Sequence, residues 1–192
     1  MMKTISTAII KVVSVGLLGL GVCSQSQAAL GTYNFTLKGN ATTATCGVEE
    51  GDANKYVTLG LTSTRFLKTP GDRGPRIPIP FNLSLCPVGA SVTFTFTGEQ
   101  DAANNQLLAL SNLNDPNTAK HVAIEISDNQ YTRVPISKSS QFPTDPGYKS
   151  RPFPVDANGK VSTIFYANYM ATDGAATTGI ANAYAEFWIE YQ

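Results

Sequence analysis

Histidine occurs once in 192 residues, as His121, so no site that needs two imidazoles can be built from this chain. Charge is also scarce. Only 15% of the residues are Asp, Glu, Lys or Arg, and the 14 basic and 14 acidic side chains cancel. A nucleic-acid binder would carry a basic surplus. A disordered chain would be poorer in apolar residues than the 42% found here. Gly-rich phosphate loops of either standard spacing are absent. Cysteine is limited to Cys23, Cys46 and Cys86. With Cys23 in a segment expected to be cleaved and the other two read as a pair, no free thiol is left to join the lone histidine, and a zinc cluster is not expected. Carboxylates are scattered, and His121 opens an alternating strand where a structural, exposed role is expected. The chain therefore reads as a non-enzyme with no cofactor and no metal.

The first segment is an address. Lys3 and Lys11 supply positive charge, Val12–Val22 is apolar, and small polar residues run into Ser26-Gln27-Ala28. This is the pattern of a secretory signal peptide cut after Ala28, with Ala29 as the second choice. Its apolar run is short of the roughly 20 residues that span a bilayer. A lipoprotein cut before Cys23 would place bulky Val22 where a small residue is wanted. Cleavage removes two lysines and one cysteine, leaving about 164 residues with a charge of −2. The remaining pair, Cys46 and Cys86, in an exported chain reads as one disulfide; two buried free thiols are the alternative.

What is present in quantity is period-two alternation. Sixteen Gly, eleven Pro, nine Phe and eight Tyr point to strands broken by turns. Tyr33, Phe35, Leu37, Gly39 and Ala41 share one face, against Asn34, Thr36, Lys38 and Asn40. Val57 and Leu59 make a short strand stopped by Gly60. Ile77, Ile79, Phe81, Leu83 and Leu85 alternate up to Cys86, with Pro78 and Pro80 placing the first part at a sheet edge. Val92, Phe94 and Phe96 alternate with threonines, and Val122, Ile124 and Ile126 with Ala123, Glu125 and Ser127. Asp101–Leu110 is the one segment that reads as a short helix or a turn of helix. Asp156-Ala157-Asn158-Gly159 predicts a hairpin turn into a long strand from Val161 to Ala171. A final strand carries Gly179, Ala181, Ala183, Ala185, Phe187, Ile189 and Tyr191. About seven or eight strands in one unit predict an all-β sandwich.

Both ends of the mature chain call for explanation. A strand closes the sequence with only Gln192 beyond it, and another begins shortly after the cleavage site, where frayed polar tails are usual. Either both are ordinary strands of one sandwich, or one is meant for another chain by strand addition at an open edge.

In these residues the chain resembles the subunits of chaperone–usher fimbriae, such as those of type 1 and P pili. The resemblance runs over the whole chain. It rests on the alternating extension with Gly39, then Cys46, the Val57-Thr58-Leu59-Gly60 block and Phe81-Asn82-Leu83-Ser84-Leu85 before Cys86. Tyr191 at the penultimate position and Gly179, fourteenth from the end, complete it.

The resemblance implies an incomplete immunoglobulin-like β-sandwich, completed by a donor strand from another chain. It divides the sequence into a signal peptide (1–28), a donor-strand extension (29–41) and a pilin domain (42–192). Tyr33, Phe35, Leu37, Gly39 and Ala41 would enter a neighbour's groove. Gly179, Ala183, Ala185, Phe187, Ile189, Tyr191 and Gln192 would form the edge that receives a strand from a periplasmic chaperone or a neighbouring subunit. An outer-membrane usher would complete the partners, and the destination would be the cell-surface fimbria. A single-domain adhesin or carbohydrate-binding module on the same sandwich is the alternative role. The extension fits a main-rod, tip-adapter or terminating subunit.

Overall fold

The computed structural model describes residues 34–41, 46–48, 51–138 and 144–192. The predicted signal peptide and Tyr33 lie outside them. Among the described residues ten strands form two sheets. They are β1 (Asn34–Ala41), β2 (Gly47–Val48), β3 (Asn54–Thr58), β4 (Ile77–Ser84) and β5 (Ser91–Gly98), then β6 (Val122–Ser127), β7 (Ile136–Ser137), β8 (Phe153–Pro154), β9 (Val161–Ala171) and β10 (Ala183–Tyr191). One sheet runs β3-β1-β10-β5-β7, with β8 also on β5; the other runs β2-β4-β9-β6.

Alternation puts one set of side chains from each sheet between the layers. Phe81 of β4 and Phe165 of β9 meet Phe94 and Phe96 of β5 and Phe187 of β10, with ring centroids 5.0–6.5 Å apart. Many of these contacts are edge-on, the arrangement ring quadrupoles favour. Cys46 and Cys86 form the disulfide expected from their pairing.

The proline-bearing stretch of β4 lies at an open flank. β4 meets β2 only through Leu83 and Ser84, while Ile77–Leu83 all pair with β9 on the other side. The Asn82 amide points to the open flank and donates to Asp52. Pro78 and Pro80 share that direction by period two, so their missing N–H groups cost no ladder bond.

Several expectations are corrected. Asp101–Leu110 is not helical: the Asp101 side chain accepts from the amides of Ala103 and Asn104, and Leu108 bridges Gln100 and Ile124. A local Asx turn outcompetes the helix. The only helical pieces among the described residues are 3-10 turns at Thr64–Phe66 and Pro146–Tyr148. The turn at 156–159 forms, with Gly159 at φ 69°, but it makes no hairpin, because β8 pairs with β5 of the opposite sheet.

Leu85 is not an inward residue. β4 stops at Ser84, and Leu85 turns outward at φ 58°. Thr93, Thr95 and Thr97 are buried despite facing away from the core. The Trp188 indole donates to Thr97, and Thr95 bridges Lys149. β6 is likewise buried on both faces. Finally, β10 starts at Ala183, so Gly179 and Ala181 precede it. Gly179 packs on the backbone of residues 117–119, where an added Cβ would meet Ala119 N at 2.4 Å.

Candidate functional site: the gap between β3 and β10

The gap is filled by the chain's own β1. β1 runs parallel to β10, from Phe35 opposite Ala183 to Ala41 opposite Ile189. It runs antiparallel to β3, from Asn34 opposite Thr58 to Lys38 opposite Asn54. The strand completing this sandwich is thus intramolecular here, and β10 becomes an interior strand with β5 on its other flank.

Period two sorts the strand. Phe35 and Leu37 are buried, Thr36 is half-buried and Lys38 is exposed. On the other side of the seam, Ala183, Ala185, Phe187 and Ile189 are buried. Backbone pairing sets Gly39 against Phe187. Tyr191 pairs with Val92, and Gln192 exchanges backbone hydrogen bonds with Ser91 at 2.9 Å, so both lie beyond β1. Burial pushes the Tyr191 phenol up from its ordinary value, opposed by the Cys46 backbone beside it. The disulfide lies at the end of the sandwich where β1 leaves the sheet: Cys86 shortly precedes Ser91, which pairs with Gln192 just past β10, while β1 ends opposite Ile189. Gly179 lines none of the gap.

On the solvent side, Thr36 lies between Tyr56 of β3 and Tyr184 of β10, and Lys38 lies opposite Glu186. The Lys38 ammonium sits 5.9 Å from the centre of the Tyr184 ring. Such exposed contacts help register more than stability.

Sequence reasoning missed two charged clusters. At the mouth of the gap, the Lys55 ammonium donates to Asp52 at 2.5 Å and lies 4.9 Å from the centre of the Phe81 ring. Asp52 also accepts the Asn82 amide. It therefore staples β3 to β4, one strand from each sheet. The inward lysine on a free edge strand also discourages edge-to-edge pairing. An apolar-facing Lys55 in an alternating strand was the available signal.

The second cluster lies on the outer face of the other sheet. Buried Glu125 accepts from Arg73 at 2.6 and 3.0 Å and from Arg133 Nε at 2.8 Å. Burial opposes its charge, but the two guanidinium groups outweigh it and hold the carboxyl below its ordinary value. Its ligands are 52 and 8 residues away, so only the fold assembles it. His121 is exposed, with Nδ1 2.8 Å from Asp173. Among the described residues no three metal-ligating side chains come together.

Comparison with known proteins agrees with this architecture. A family model described as fimbrial protein matches residues 35–192. The chain is 36% identical to a fimbrial-like protein, FimF, of Salmonella typhimurium, over 93% of this chain and 95% of that one. It is 32% identical to a type-1 fimbrial protein subunit of Serratia marcescens, over 88% and 91%. A chain of a solved chaperone–usher pilus shares the fold, with a TM-score of 0.61, 18% identity and full coverage of both.

Proposed function

The chain belongs to the fimbrial protein family and is a structural subunit of a fimbria; on that premise we propose that it joins the fibre by donor-strand exchange. β1 leaves its own gap and enters that of a neighbouring subunit, while a strand from another neighbour replaces it between β3 and β10. Residues 1–28 direct export, 29–41 are the donor extension, and 42–192 are the domain that receives a strand. In the periplasm a chaperone covers the open gap, and an usher passes the subunit to the surface.

The observation that carries this reading is the position of β1. It is inserted between β3 and β10, contributes Phe35 and Leu37 to the core, and comes first in chain order among the described strands. Such a strand can be exchanged without unthreading any other element. An empty gap would expose Phe187, Ile189 and unpaired backbone on two strands, a template for aggregation. Filling it recovers roughly 1.5–3 kcal/mol for each large apolar side chain buried. A slip of one residue would turn Thr36 and Lys38 inward, so the apolar pattern fixes the register. The chemistry is assembly, with no covalent bond made or broken.

The test compares the mature chain with a form lacking Ala29–Ala41, each co-expressed in the periplasm with a fimbrial chaperone. The expected result is a ladder on an unheated denaturing gel that collapses on boiling and is absent from the truncated form. Equal ladders from both forms, or a lone monomer band from both, would overturn the exchange.

A further inference from the structure

The end of the sandwich from which β1 departs carries an exposed apolar tip. β4 ends at Ser84, the disulfide follows at Cys86, and Leu85, Pro87, Val88 and Gly89 are exposed between them and β5. Leu85 is 80% exposed and Val88 67%. Residues 85–90 contain no charge.

Leu85 also holds φ 58°, the left-handed region that Asn and Gly enter readily and a branched apolar residue rarely does. The position therefore carries a side chain that is both strained and solvated. Isolated exposed apolar residues are ordinary; a strained one beside a second, on an uncharged turn, is a candidate contact surface.

Chain length says what covers it. Cys46 is fixed here by its disulfide to Cys86, next to Leu85. Only four residues, 42–45, separate Cys46 from the last residue of β1. At about 3.6 Å per residue, a donor strand seated in another subunit ends within about 18 Å of this point. A neighbour holding the strand is thus drawn against the Leu85–Val88 turn.

We propose that the Leu85–Val88 tip docks on the neighbouring copy of this chain that holds its donor strand. This rests on the donor-strand reading above and adds a second contact to it. Burial of the two side chains against the neighbour offsets the strain at Leu85. The contact forms only between whole subunits, because an isolated strand has no surface to offer the tip.

The test uses the full mature chain and the double variant Leu85→Asn/Val88→Ser, with Val88→Ser alone as a second variant. Thermal unfolding should give the double variant a melting temperature at or above that of the parent, since Asn suits φ 58°. Displacement of β1 by a synthetic peptide of residues 29–41, followed by native mass spectrometry, should be unchanged. Ladder formation between whole chains should slow at least tenfold, equivalent to about 1.4 kcal/mol, with a smaller slowing for Val88→Ser. Ladder formation within twofold of the parent would overturn the docking surface, as would equal slowing of peptide displacement. If the parent chain neither binds the peptide nor forms a ladder, the donor-strand reading fails and the tip contact falls with it.

Discussion

Replacing Leu37 with Ala tests the site where its physics is most specific. Leu37 is fully buried in the middle of β1, paired with Ala185 on one side and Lys55 on the other. Truncating a buried leucine removes its transfer energy and leaves a cavity, at a cost of about 2–5 kcal/mol. In a domain of this size each kcal/mol moves the melting temperature by about 2–4 °C. A central cost of about 3 kcal/mol therefore lowers it by about 6–12 °C. The same energy raises the population of molecules with β1 released by about two orders of magnitude. Hydrogen exchange at the β1 amides should report that release before global unfolding does. Lys38→Ala, one residue further and exposed, should stay within about 0.5 kcal/mol. A Leu37→Ala shift below about 2 °C, or equal shifts for the two variants, would refute the insertion of β1 in this register.

Three further outcomes follow from the buried contacts. Asp52→Ala should cost about 3–5 kcal/mol in urea denaturation, because it strands the Lys55 ammonium and the Asn82 amide, whereas Asp52→Asn/Lys55→Met should recover most of it. Glu125→Gln should cost about 1–3 kcal/mol at neutral pH, less than a fully enclosed pair would, because Arg73 is 41% exposed and can rehydrate. The carboxyl is held down in the folded chain, so its contribution is complete above the unfolded carboxylate value near 4.3 and fades as pH falls through the folded value. Urea melts at pH 7 and at about pH 3 should then show the Gln variant and its parent converging in acid. Cys46→Ser/Cys86→Ser should lose about 4 kcal/mol for the 40-residue separation, read as a lower denaturation midpoint that added reductant no longer moves.

Phe35 and Leu37, Ile79–Phe81–Leu83, and Ala183 to Ile189 were legible as inward faces because strand alternation is a local property, fixed by the pleat and independent of partners. The same locality misled at Leu85, where β4 ends and the alternating pattern runs on by one residue. It misled at Asp101–Leu110 too, where Asp101 makes a turn that competes with the helix. The buried threonines of β5 and the all-buried β6 show the limit of a two-face pattern. What covers an outer face comes from distant segments, such as Trp188 and Lys149.

The sequence by itself determined the all-β class, Cys46 and Cys86 as disulfide partners, and the alternation of Phe35 to Lys38 in β1 and of Ala183 to Ile189 in β10. Each follows from composition or from a period of two along one segment. Only the tertiary structure decided that β1 sits between β3 and β10 of its own chain, parallel to β10. Only it gathered Asp52, Lys55 and Asn82 into one staple and Arg73, Glu125 and Arg133 into another. Pairing partner, strand direction and ion-pair geometry depend on long-range closure of the chain, where many registers share the same local pattern and packing selects one.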